Sequence, residues 1–241
     1  GAQTVQGALE RAILSVTGDK VRVTGAGRTD AGVHATGQTA HWDTLSDIEP
    51  AVLERALNAR LEQDIRVRDL GVAAHGFHAR FSACSREYSY TIVDKNMPES
   101  VLRRRFAWVR PLDRIDSGRL DDCASLLEGE HDFSGFHRGG SYTAHNRCLI
   151  SLARWEHFGG MKVFNVRADR FLRGMVRMLV GAMVAAAERK ASPEAFAAAL
   201  EQKNHWFRAV PVPACGLILV RVDYPGGFDI KNDREAYCAD I

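Results

Sequence analysis

The residues with the clearest chemical potential lie in Gly25-Ala26-Gly27-Arg28-Thr29-Asp30-Ala31-Gly32-Val33-His34-Ala35, where Asp30 and Arg28 sit two positions apart among three glycines. Glycines so closely spaced mark a backbone that turns tightly or comes close to something. A carboxylate held on such a loop beside a fixed cation stays charged, which suits a nucleophile or base better than an acid. Two other readings compete. Gly25-x-Gly27 after Val21-Arg22-Val23 is how a dinucleotide fingerprint opens. Yet Asp30 stands at the third glycine position and residues 35–43 alternate like a strand, so a pyrophosphate would meet a negative charge and no helix N-terminus. The loop is also consistent with a plain hairpin connection bearing a surface aspartate.

Three further segments carry reactive or cationic groups. Arg86-Glu87-Tyr88-Ser89-Tyr90-Thr91-Ile92-Val93 alternates with aromatic and β-branched residues, so it reads as a strand with Tyr88 and Tyr90 on one face. Leu102-Arg103-Arg104-Arg105-Phe106-Ala107-Trp108-Val109-Arg110 is the densest cationic run. Basic residues interleaved with aromatics suit either a phosphate backbone or a solvated edge. Asp169 is expected to cap a long helix, Arg170 to Arg189, with Phe171, Met175, Met178 or Leu179, and Ala182 on its apolar face and Arg170, Arg173 and Arg177 on another. Arg177, between Val176 and Met178, is expected to be partly buried and therefore to need a carboxylate partner.

The elements that position these groups follow from periodicity. Residues 4–16 place Val5, Leu9 and Ile13 on one helical face. Strands are expected at 20–24 and 35–43, a helix from Pro50 to about residue 62, and a strand through Ile65–Val67 and Leu70–Val72. This α-β-β-α-β order is a ferredoxin-like module short of its first strand. A helix over 116–128 ends at Gly129, and a polar loop runs from His131 through Arg147. Strands 149–158 and 161–169 are joined by Gly159-Gly160, a hairpin signal. Ser192-Pro193-Glu194 opens a helix to about residue 202, Gly216–Val222 closes the sheet as a central strand, and the tail from Pro225 is polar and expected to be irregular. No internal repeat is evident.

Composition removes several function classes. The 241 residues, 46% hydrophobic and 26% charged, are those of an ordinary globular chain. No apolar run reaches membrane-spanning length and no signal peptide precedes the first helix, so a cytoplasmic protein is expected. Five cysteines (84, 123, 148, 215 and 238) form no CxxC pair and read as reduced structural thiols; nine histidines show no HxxxH spacing, so no metal site is expected. The net charge is only +2, so any nucleic-acid surface must come from local clusters of Lys and Arg.

Taken together and in order, Gly27–Ala35, Phe77-His78-Ala79-Arg80-Phe81, Tyr88-Ser89-Tyr90, Met175-Val176-Arg177 and Gly216-Leu217 resemble the TruA family of tRNA pseudouridine synthases, over nearly the whole chain. The resemblance implies a mixed α+β pseudouridine synthase fold: two ferredoxin-like halves sharing a mainly antiparallel central sheet, with helices on one side. The halves would be residues 1–83, carrying the Asp30 loop, and 84–241, sharing one catalytic cleft. It implies that Asp30 is the catalytic aspartate acting at the uridine whose glycosidic bond breaks. Arg28 would help flip the base and fill its place, and Tyr88 would stack on the base and take the C5 proton. Arg177 would pair with Asp30, and Leu217 would pack beside the uracil. Phe77, His78, Ala79, Arg80 and Phe81 would line the tRNA path, with Arg80 on a phosphate. The implied substrate is tRNA uridine at positions 38, 39 and 40 of the anticodon arm, handled by a homodimer with one tRNA reaching across both subunits. Arg103, Arg104, Arg105 and Arg147 then become candidate RNA contacts.

The chemistry accepts these roles. Isomerising uridine needs a nucleophile, a proton acceptor near C5 and a pocket for the detached base, and no redox or group-carrying cofactor. Extruding the base costs a few kcal/mol, and stacking on Tyr88 returns roughly 1–3 kcal/mol. The carboxylate can attack C6, attack the sugar C1′, or promote elimination at the sugar; the residues allow each. Two departures stand out. Family members begin with a strand containing Tyr-Asp-Gly…Gly-Trp-Gln, whereas this chain starts at Gly1-Ala2-Gln3, so an unpaired sheet edge is expected. Ser141-Tyr142-Thr143-Ala144-His145-Asn146 lacks the usual arginine-rich pattern. The competing functions are a non-catalytic tRNA-binding or folding protein on the same scaffold, and a small-molecule enzyme using Asp30 and His34 as an acid–base pair.

Overall fold

The computed structural model of the chain describes residues 3–138, 145–188, 193–201 and 210–226. It divides into two compact units, one formed by residues up to 27, 39–83 and those from 224, the other by 28–38 and 84–223. The Asp30 loop thus groups with the second unit rather than with the flanking first-unit residues.

The first unit is built on two helices, α1 (Val5–Thr17) and α2 (Pro50–Asn58). Thr4 caps α1 by accepting the Gly7 N–H, and Gly18 ends it in the left-handed conformation. Pro50 stands in the first turn of α2, where the Glu49 carboxylate accepts the Val52 N–H. Ile13 and Leu57 are fully buried and pack with Ala12, Val23 and Leu53. Val5, expected on the apolar face, is 58% exposed. The strand expected at 20–24 shortens to β1 (Thr24–Gly25), and that at 35–43 to the separate pieces β2 (His34–Ala35) and β3 (Ala40–His41); β1 and β3 pair antiparallel.

No strand forms at 65–72. Val67 and Leu70 still pack on the core, but Asn58 takes the place of a neighbouring strand: its side-chain amide donates to the Val67 carbonyl and accepts the Val67 N–H, each at 2.8 Å. The Glu54 carboxylate accepts the Leu70 N–H. Side-chain hydrogen bonds satisfy the backbone here without a ladder.

The second unit is a seven-stranded, mainly antiparallel sheet in the order β2, β9 (Leu217–Asp223), β4 (Ser85–Asp94), β8 (Met161–Ala168), β7 (Arg147–Phe158), β6 (Gly129–Asp132), with β5 (Trp108–Arg110) beside the far end of β4. The expected hairpin is present, with β7 and β8 turning at residues 159–160. On β7 burial falls on Cys148 and Ile150, then on Ala153 and Trp155; the change of phase coincides with a register shift between Ile150 and Leu152. Helices α4 (Ser117–Ser125), α5 (Met175–Ala187) and α6 (Pro193–Leu200) pack on one another, and α4 lies against β7.

The long helix expected from Arg170 begins instead at Met175, because Gly174 adopts a left-handed φ of 72°. Asp169 caps no helix; its carboxylate accepts the N–H groups of Leu149 and Arg170. Arg170 and Arg173 therefore lie outside the helix, and the expected basic stripe reduces to Arg177 on a helix whose other side chains are mostly buried. Arg189, Ser192, residues 139–144 and the tail beyond 226 lie outside the described residues. Among the described residues no helix is long and apolar enough to cross a membrane.

Candidate active site

Every residue of the central constellation, Arg28, Asp30, Tyr88, Arg177 and Leu217, lies in the second unit. The Asp30 loop is shaped by one hydrogen bond and one glycine. The Val33 N–H donates to the Asp30 carbonyl at 3.1 Å, and Gly32, third in that four-residue turn, has φ 83°. Of the three clustered glycines only Gly32 needs positive φ. The loop then runs parallel beside β9, pairing His34 with Ile218 and Ala35 with Leu219. Gly37 closes the contact, since a Cβ there would stand 2.0 Å from the Val220 carbonyl oxygen. Val220 is also where β9 shifts register, so that Glu87 faces Arg221 and Tyr88 faces Leu219.

Arg177 sits in the first turn of α5 and uses two edges of its guanidinium. Nη1 donates to Asp30 Oδ2 at 2.7 Å and Nε donates to the Val212 carbonyl at 2.7 Å. The side chains of Arg177 and Asp30 are 13% and 20% exposed, so water competes weakly for the pair. This is the carboxylate partner that the sequence demanded for Arg177. Tyr88, on β4, is buried and meets Phe171 edge to face, ring centroids 5.2 Å apart at 89°. Burial pushes the Tyr88 phenol up to about 12, opposed by the Arg86 guanidinium and reinforced by the Asp30 carboxylate. The group is therefore a neutral phenol at neutral pH. Leu217, buried at the start of β9, pairs across strands with Tyr90.

Arg28 is exposed at the mouth of the same loop. The cationic run 102–110 is not one element: α3 (Ser100–Arg103) ends in a turn through Phe106 before β5. Arg104 and Arg105 are exposed, while the Arg105 carbonyl accepts from His34 Nε2 at 2.7 Å and the Phe106 ring meets the His34 ring at a tilt of 47°, centroids 4.7 Å apart. His34 is thereby engaged in holding backbone. Arg147 is exposed and bound to Glu130 at 2.7 Å.

In the first unit, Phe77–Phe81 form a tight knot. His78 Nδ1 accepts the N–H groups of Arg80 and Phe81, buried Ala79 donates to His41 Nδ1, and the Tyr224 hydroxyl donates to the Ala79 carbonyl. Phe81 is left 77% exposed with the Arg80 guanidinium 5.6 Å from its ring centroid, a cation beside an open aromatic face.

Three contributors to the site carried no expectation: Phe171 against Tyr88, the Val212 carbonyl on Arg177, and Ala214 beside Gly32, whose Cβ would be 3.4 Å away. A signal existed for the last two, since Pro211 and Pro213 alternate in 210–214 and prescribe an extended segment. Among the described residues no group of three or more His, Cys, Asp or Glu could hold a metal ion.

A family profile described as tRNA pseudouridine synthase matches residues 1–82 and 123–225, spans that contain Asp30, Arg177 and Leu217. The chain is 37% identical over 225 residues to tRNA pseudouridine synthase A of Gloeobacter violaceus, covering 93% of this chain and 74% of that protein. It is 39% identical over 236 residues to the Chlorobium luteolum protein of the same name, covering 97% and 91%. The corresponding protein of Frankia casuarinae is 42% identical over 228 residues, covering 93% and 82%. With its reactive loop, its buried ion pair and these relatives, the chain belongs to the tRNA pseudouridine synthase family.

Proposed function

We propose that the protein isomerises uridine to pseudouridine at positions 38, 39 and 40 of the tRNA anticodon arm, with Asp30 as the nucleophile. The observation that carries this reading is the Asp30–Arg177 pair: a carboxylate and a guanidinium 147 positions apart, joined at 2.7 Å and mostly buried. A pair so remote in sequence exists only because the fold assembles it, and a carboxylate held by a salt bridge through one of its oxygens is positioned for nucleophilic work.

The roles follow from the chemistry. The N1–C1′ bond of uridine breaks, the base turns, a C5–C1′ bond forms with release of any bond to Asp30, the C5 proton leaves to a base, and N1 takes up a proton from solvent, so the product keeps uridine's composition. Arg28, exposed beside the nucleophile, enters the stack as the base leaves it. Tyr88 and Leu217 supply aromatic and apolar contact to the detached uracil. Tyr88 takes the C5 proton as a phenolate, a form present at about one part in a hundred thousand at pH 7 for a phenol near 12. Proton removal through Tyr88 therefore makes the last step faster as pH rises. Arg80 and Phe81, the arginines at 103–105 and Arg147 bind the RNA backbone, and a homodimer in the cytoplasm presents these contacts to one tRNA.

The test is tritium release from transcript tRNA labelled at uracil C5, for the parent chain and Asp30→Ala. Release by the parent and none by the variant is expected. Equal tRNA binding by both, with release by neither, would overturn the reading in favour of a non-catalytic tRNA binder on the same scaffold. Light scattering with and without tRNA decides the homodimer.

A further inference from the structure

The catalytic arginine is held by a segment to which no role has been given. Residues 210–216 run as a strap along α5, and each end of the Asp30–Arg177 pair leans on it. Arg177 donates Nε to the Val212 carbonyl at 2.7 Å, and the Val212 N–H returns a 3.3 Å bond to the Arg177 carbonyl. Ala214 lies beside Gly32 in the Asp30 turn. With Nε committed to the strap, the direction in which Nη1 points at Asp30 depends on where the Val212 carbonyl stands.

Two features outside the constellation fix that carbonyl. Tyr90 is wholly buried on β4, and its hydroxyl donates to the Pro213 carbonyl at 2.8 Å, one residue from Val212. Burial raises the Tyr90 phenol well above its ordinary range, so the donor proton is always present. Gly181, one turn of α5 beyond Arg177, lets the strap come close, for a Cβ there would stand 2.3 Å from the Val210 carbonyl oxygen. Pro211 and Pro213 have no N–H to offer, so across 211–213 the strap depends on its carbonyls and on the Val212 N–H for anchoring.

We propose that Tyr90 is a positioning residue: through the Pro213 carbonyl it sets the strap, and through the strap it aims Arg177 at Asp30. This rests on the functional reading above, and Tyr90 itself touches no substrate. Tyr90→Phe removes one hydroxyl and keeps the ring. Gly181→Ala displaces the strap from the other side.

The experiment is a pair of measurements on the full chain. Under single turnover with saturating enzyme, a rate constant does not depend on the folded fraction, so a purely structural role would leave it unchanged. Tyr90→Phe and Gly181→Ala are expected to lower it about tenfold with tRNA dissociation constants within about twofold of the parent, the signature of lost geometry. Independently of activity, the Nε proton of Arg177, assigned by Arg177→Lys, should exchange with solvent about tenfold faster in both variants. Unchanged Arg177 exchange in both variants overturns the proposal, as does an unchanged rate constant in an active parent. If the parent makes no pseudouridine, the functional reading fails while the exchange measurement still decides the strap.

Discussion

Two ion pairs in the second unit have the same length and opposite surroundings. Arg177–Asp30 and Arg147–Glu130 both close at 2.7 Å. The first pair is 13% and 20% exposed, the second 56% and 55%. Arg147 and Glu130 stand on neighbouring strands with their side chains half open to water, where attraction is screened and two long side chains must be ordered to gain it. Arg177 is already ordered by the Val212 carbonyl, and Asp30 by its turn and by the pairing of β2 with β9. Distance does not separate the pairs. Exclusion of water and independent anchoring of each partner do, and they suit one pair to the reactive role proposed for it and leave the other a surface contact.

The largest expected effect comes from breaking the buried pair. Arg177→Met should abolish tritium release and cost about 3 kcal/mol of stability, since it leaves a mostly buried carboxylate without its partner. Parent-like melting and turnover would put both pairs in one class and end the comparison. Next is the alkaline limb, which tests how dry the surroundings of the pair are. The Tyr88 phenol stands near 12 in the fold and near 10 when unfolded, so folding binds its proton more tightly. That stabilisation is complete below pH 10 and is lost as pH rises from 10 toward 12, roughly 3 kcal/mol in all. Urea titrations across this range should show the decline, and Tyr88→Phe should make it shallower, the remainder belonging to Tyr90, Cys123 and Cys148, whose protons burial also holds more tightly; an identical slope in the variant would assign the whole loss to those groups.

A smaller effect is expected on RNA affinity. Converting Arg103, Arg104 and Arg105 to alanine should weaken tRNA binding and reduce the logarithmic salt slope by about 1 per arginine that meets a phosphate. A slope equal to the parent's would make the run a solvated edge. The smallest effect belongs to the exposed pair. Arg147→Ala should leave the melting temperature and the single-turnover rate unmoved, and any change should be confined to tRNA affinity at low salt. A clear loss of thermal stability would show that exposure misjudges this pair.

Where neighbours in sequence decide the structure, the elements were legible. The alternating strands expected at 86–93, 149–158 and 161–169 are present as β4, β7 and β8, and Pro50 begins a helix as its ring prescribes. The failures have tertiary causes. Ile65–Val72 has the composition of a strand, but Asn58 and Glu54 occupy its backbone groups. Asp169 has the features of an N-cap, but β7 claims its carboxylate and Gly174 restarts the chain five residues on. Of the proposed site, Asp30, Tyr88 and Arg177 were marked by residue type and Arg28 and Leu217 by the family resemblance; Phe171 against Tyr88 carried no signal, and Pro211 and Pro213 marked only an extended segment, not the Val212 carbonyl on Arg177.

By itself the sequence determined which groups could do chemistry: a carboxylate on a glycine-bearing turn, tyrosines on an alternating strand, and an arginine so flanked by apolar residues that it required an acid. The tertiary structure closed the pair with Asp30 that the family resemblance implied, and it alone decided that Val212 holds the arginine's other edge and that Tyr88 is kept a neutral phenol. The reason is physical. Residue type and local spacing set what a side chain can donate, accept or bury, but the water around it and the partner facing it are set by segments far away in the chain.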